Sequence, residues 1–188
     1  VKERAGLEAE SQLRAAAIAP PARQAFAWES RQIMLADGKR ALAVVWVSAQ
    51  CRTIAPGEAA SLLLVYVAGS PANVGRPLGR PVEFPDELVS FAPERPFAYL
   101  TGDGTPVLVL RAANGGQCWG CNRLRLVAVG SDGLDELPVG DDASVVPFAI
   151  DDVAGDGRLA VLASDSRWEG FAGLCPSCAP VPTLVYRW

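Results

Sequence analysis

The residues of this chain best suited to chemistry are its five cysteines. Four form two Cys-x-x-Cys pairs, Cys118/Cys121 and Cys175/Cys178. The fifth, Cys51, begins a third such position but has Ile54 where its partner would stand. Pairs of this spacing serve three chemistries. Paired thiols in an oxidising compartment become structural disulfides. Four thiolates can hold a tetrahedral zinc ion. A pair whose first cysteine lies at a helix N-terminus, where its pKa falls, can cycle as a redox centre. Residues 122–174 separate the two pairs, far more than the roughly 15–20 residues of a zinc ribbon. Both pairs also lie between strand-like apolar runs, which disfavours the redox role. Structural disulfides at Cys118, Cys121, Cys175 and Cys178 are therefore expected, with zinc at the same four residues as the alternative and Cys51 left odd.

Other chemistry is scarce. The sequence contains no histidine, which removes Ser-His-Asp and Cys-His nucleophile systems and most catalytic zinc sites. The pairs are followed by Asn122 and Ala179, where covalent haem attachment needs histidine. Gly69 and Gly75 bracket a phosphate-loop spacing, but Arg76-Pro77 replaces the Lys-Ser/Thr that contacts phosphate and magnesium. The net charge of −4 leaves no basic footprint for nucleic acid. No apolar run nears the roughly 20 residues of a membrane-spanning helix. The expectation is a non-catalytic protein without a cofactor. An anchoring or targeting segment upstream of Val1 would fit an extracytoplasmic location.

The cysteines are positioned by a sequence pattern written three times. LADGKRALAVVWV leads to Cys51 and then SLLLVYV. LTGDGTPVLVLRA leads to Cys118 and Cys121 and then LRLVAV. VAGDGRLAVLAS leads to Cys175 and Cys178 and then TLVYRW. Turn, strand, cysteine loop and strand recur in a fixed order, the mark of a repeat whose units bury their faces on one another. Leading strands are expected at Phe26–Leu35, Phe97–Tyr99 and Val145–Ile150, and Asp132-Gly133 reads as a further hairpin. The closing strand from Thr183 is the expected partner of Leu159–Ala163. Residues 1–21 read as an N-terminal helix and linker, with Leu7, Leu13, Ala17 and Ile18 at helical spacing before Pro20-Pro21. Residues 22–188 form the β domain, with repeats near 24–70, 90–138 and 143–188. A proline-rich insertion, 71–96, is incompatible with a central strand and is expected to run over the surface.

The stretch DDVAGDGRLAVLAS resembles the core of an FG-GAP or VCBS-type repeat, and LTGDGTPVLVL is similar to related repeats. The resemblance implies an all-β fold of antiparallel repeat units, partial or small and propeller-like, on a cell-surface or extracytoplasmic protein. It also implies calcium at acidic turns, since a hard cation needs several oxygen ligands. Here only Asp152 and Asp156 qualify, beside Asp151, with Ala154 in the place of another ligand. Turn-stabilising aspartates are the leading expectation and weak calcium binding the alternative.

The functional expectation is an interaction or scaffold module, an accessory subunit of a larger envelope or membrane-associated assembly. Arg76, Leu78, Arg80 and Phe84 mix arginine, proline and apolar neighbours in the manner of an interface and are the expected partner-binding residues. The rival roles are a metal or redox protein using the paired cysteines, and a secreted carbohydrate-binding or adhesive module.

Overall fold

A computed structural model describes residues 26–48, 59–67, 77–85, 87–113, 122–140, 144–168, 173 and 181–188. The described residues contain twelve strands and no α-helix: β1 (Phe26–Met34), β2 (Arg40–Ser48), β3 (Ala59–Val67), β4 (Val82–Pro85), β5 (Leu88–Phe91), β6 (Phe97–Tyr99), β7 (Pro106–Ala113), β8 (Asn122–Val129), β9 (Leu134–Glu136), β10 (Val145–Asp151), β11 (Ala160–Asp165) and β12 (Thr183–Tyr186). The expected N-terminal helix lies outside the described residues. The strands form three antiparallel sheets. The first is the meander β1-β2-β3-β4 and the third is β10-β11-β12. In the second, β5 and β6 pair in succession with β7, followed by β8 and β9.

The three leading strands, the Asp132-Gly133 hairpin and the closing strand fall where the sequence pattern places them. Val129 pairs with Leu134 across that hairpin, and Val161 pairs with Tyr186. The Asp-Gly turns that open each unit share one construction. Asp37, Asp103 and Asp156 each accept the backbone N–H two residues on, from Lys39, Thr105 and Arg158 at 3.0, 2.8 and 3.0 Å. The glycine after each lies at φ 80°, 81° and 79°, a left-handed conformation that only glycine adopts without strain. The three turns are chemically alike, joining β1 to β2, β6 to β7 and β10 to β11.

Period-two alternation decides how the sheets stack. Ala41, Ala43 and Val45 of β2 and Leu63 and Val65 of β3 face the second sheet. There they meet Leu108, Leu110 and Ala112 of β7 and Val127 and Val129 of β8 in one buried cluster. The alternate residues of the same two strands, Val107, Val109, Leu124, Leu126 and Ala128, face the other way and bury Val161 of the third sheet. The second sheet is thus apolar on both faces and lies between the other two. No buried cluster joins the first sheet to the third among the described residues, and the stack is open.

The proline-rich insertion departs from the expected surface excursion. Proline does exclude a central strand: β4 and β5, which lie within it, are both edge strands. Yet Phe84, Val89 and Phe91 are almost wholly buried, at 1%, 1% and 2% exposure. The segment is a strap. Pro77 bridges to Tyr66 and the Leu78 N–H donates to the Val65 carbonyl. Gly79, at φ 67°, passes so close to the β8–β9 turn that a Cβ would sit 2.8 Å from the Gly133 Cα. From there β4 completes the first sheet, and the chain crosses to β5 and begins the second.

Candidate functional site

The crossover from β4 to β5 carries the most heavily engaged polar groups of the described fold. Ser61, fully buried at the start of β3, donates its hydroxyl to the Glu87 carbonyl at 2.8 Å and accepts the Val89 N–H at 3.0 Å. One side chain therefore stitches the first sheet to the first strand of the second. Glu29 of β1 adds another tie by accepting the Phe91 N–H. Arg31, on the same strand, places its guanidinium 5.3 Å from the Phe91 ring centre.

Glu87 itself is 7% exposed at the side chain and meets two arginines of β8. Its Oε1 accepts from Arg123 at 2.5 and 2.9 Å, and its Oε2 accepts from Arg125 at 2.9 Å. Arg125 also reaches Glu136 of β9 at 2.8 Å. Burial pushes the Glu87 carboxyl upward, but hydrogen bonds from Arg125 and Arg123 outweigh it and hold the group below its ordinary value. The signal for this network was present in the sequence. Arg123 and Arg125 alternate with Leu124 and Leu126, which places both arginines on one face of a strand whose neighbouring positions are core.

Beside the network a cleft of about 600 Å³ opens across all three sheets. Val47 comes from the first sheet, Leu88, Val89 and Ala113 from the second, and Phe148 from the third. Arg111 and Arg123 border it, the former bound to Glu94 at 2.9 and 3.0 Å. Phe148 is 46% exposed because it sits in a register shift between Pro147 and Ala149. Pro147 lacks the N–H that a regular ladder would use, and the chain takes up the mismatch as a bulge. The cleft offers apolar walls and arginines whose charge is already matched by glutamate.

The cleft lies at one end of the stack. Val47 pairs with Ser61, and Leu88 pairs with Ala113, at the strand ends that flank connections 49–58 and 114–121. The Asp-Gly turns lie at the other end. All five cysteines fall in the connections between β2 and β3, β7 and β8, and β11 and β12, and lie outside the described residues.

The expected partner-binding residues are distributed by the strap. Phe84 is 1% exposed within the core between the first two sheets and offers no surface to a partner. Leu78 packs against that core, Arg80 is exposed, and Arg76 lies outside the described residues. The three described residues are not exposed together: Phe84 is in the core and Arg80 is at the surface.

The expected calcium residues serve the third turn. Asp152 accepts the N–H groups of Asp156 and Gly157 at 3.1 and 2.7 Å. Asp156 accepts the Arg158 N–H and also meets Arg187 at 3.2 Å. Its carboxyl is held below the ordinary value, first by the Arg158 backbone N–H and then by Arg187. Asp151 turns to the Asp152 N–H at 2.8 Å. The described residues contain no group of three His, Cys, Asp or Glu side chains arranged to hold a metal ion. No helix among them is long and apolar enough to cross a membrane. No protein-family model, curated protein or solved structure matches this chain.

Proposed function

We propose that the chain is a non-catalytic interaction module built from FG-GAP/VCBS-type units, an accessory subunit of an extracytoplasmic, membrane-associated assembly. The observation that carries this reading is the cleft shared by three sheets, with apolar walls and charges already neutralised. Such a surface buries an uncharged side chain of a partner at low electrostatic cost, since its arginines need not be stripped of their glutamates. The absence of histidine from the whole sequence, and the commitment of Glu87 to two arginines, support a binding role over acid–base chemistry.

Cross-linking in envelope preparations of the source cell, with the tagged chain as bait, tests the reading. A stoichiometric membrane-associated partner should be recovered with the native sequence and lost with Phe148→Ser. That substitution alters the cleft at a half-exposed position, and an unchanged melt should show that the sheets stay folded. Recovery unchanged by Phe148→Ser, or a chain found alone in the cytoplasm, would overturn it.

A further inference from the structure

The first sheet buries more than the face it turns to the second. Ala43 and Val45 of β2, and Leu63 and Val65 of β3, point inward. Their alternates Val44, Leu62 and Leu64 stand on the opposite face, yet they are only 1%, 3% and 2% exposed. They lie together at the middle of the sheet, Val44 opposite Leu64 and Leu62 opposite Trp46. Neither buried cluster of the described residues includes them. We propose that residues 1–19 of this chain lie across this outer face, with Leu7, Leu13 and Ile18 seated over Val44, Leu62 and Leu64.

A single layer does not bury such residues by itself. Side chains stand roughly perpendicular to a sheet, so an uncovered face leaves their tips in water. Leu162 and Val185, paired on the outer face of the third sheet, show the contrast. Leu162 is half-buried and Val185 is 50% exposed. The burial of Val44, Leu62 and Leu64 is reached within one chain, so neither a second copy nor a partner is needed for it. The second sheet occupies the inner face and the third lies beyond the second.

The sequence selects the occupant. Connections 49–58 and 68–76, which also join this sheet, offer only Ile54 and Val74 as large aliphatic side chains. Residues 1–19 offer Leu7, Leu13 and Ile18 on a segment whose spacing reads as a helix. Such a helix is about 28 Å long, enough to cross strands spaced about 4.8 Å apart. Residues 20–25 join it to β1, and six residues reach up to about 20 Å, whereas β3 lies about 10 Å from β1. Trp28 of β1, opposite Trp46 on the same face, is 39% exposed at its margin. The cleft opens on the other face of this sheet, at Val47, so failure of either proposal leaves the other standing.

Methyl NMR of the intact chain tests the assignment. Nuclear Overhauser contacts should run from Leu13 and Ile18 to Val44, Leu62 and Leu64. Leu13→Glu should abolish them and admit a soluble paramagnetic chelate to those three residues. Gln12→Glu, about 100° round the helix, should leave both the contacts and the protection unchanged. Should Leu13→Glu unfold, the contacts in the native protein decide alone. Contacts from the three residues only to other parts of the chain would overturn the proposal. So would contacts seen only between differently labelled copies, which would identify a second copy as the occupant. Broadening of the native methyls by the chelate would overturn it as well, by showing a face open to a partner.

Discussion

The middle sheet is docked on both faces, but the two interfaces are not equal. Toward the first sheet, fifteen of the described residues interlock in one buried cluster, among them Leu63, Phe84, Leu108 and Leu110. Ser61 and Glu29 add hydrogen bonds across the same boundary. Toward the third sheet, the cluster has nine buried residues among those described, three of them alanine, and of the described residues of the third sheet only Val161 belongs to it. Ile150, Leu159 and Tyr186 pack there while partly exposed. One repeated motif is therefore attached in two strengths, because docking depends on the size of the facing side chains and not on the motif that presents them. The third sheet should open first, below the free energy of global unfolding.

The largest effect expected is in the stronger interface. Leu110→Ala removes a fully buried side chain and should cost about 2–5 kcal/mol, read as a lower denaturant midpoint for the whole domain. Val161→Ala should cost about 1–2 kcal/mol from two lost methyl groups, with faster amide exchange confined to β10–β12. Equal loss of protection in all three sheets on Val161→Ala would show that the interfaces are not separable.

Glu87→Gln comes next. It leaves Arg123 and Arg125 facing a neutral amide at a site where the carboxylate is nearly buried. The expected loss is about 1–3 kcal/mol, measured by chemical unfolding, and it should fall on the first two sheets together. A double substitution with Ser61→Ala should be non-additive, because both residues hold the same crossover.

Gly79→Ala should cost about 1–3 kcal/mol for a side chain in the left-handed region, and more through the approach of its Cβ to Gly133. Gly38→Ala has a similar φ but open space around it, so it isolates the backbone contribution. Thermal melts of the pair give the cost of the strap contact by difference. Equal shifts would show that the strap does not bear on the second sheet.

The smallest effect belongs to the turns. The carboxyls of Asp37, Asp103 and Asp156 all lie below their ordinary value. The leading causes are, respectively, the Lys39 side chain, the Thr101 hydroxyl and the Arg158 backbone N–H. A depressed folded pKa stabilises above the unfolded value, about 4, and the contribution is lost as pH falls through the folded pKa. The melting temperature should therefore be level above about pH 5 and decline below pH 4. The triple Asp→Asn variant should decline less steeply. An identical acid limb would assign acid sensitivity to Glu87 and Asp165, whose carboxyls are also held low.

What the sequence determined by itself is local. Strand positions follow from alternation and β-branched runs, and each Asp-Gly turn closes through a bond between residues two apart. Such features need no distant partner, so the leading strands, the hairpins and the three turns were legible residue by residue, whereas β4 and β5 were not. Tertiary structure decided the rest. Proline confines β4 and β5 to edges, but only the face offered by Leu63 and Leu108 turns Phe84 inward, against its expected place at an interface. A lone Glu87 in a proline-rich segment carries no mark of burial until Arg123 and Arg125, more than thirty residues on, arrive beside it. The cleft draws one wall from each sheet, and no single stretch of chain contains it. Contacts distant in sequence depend on which faces meet. Alternation states that a strand has two faces, and only packing selects what each one covers.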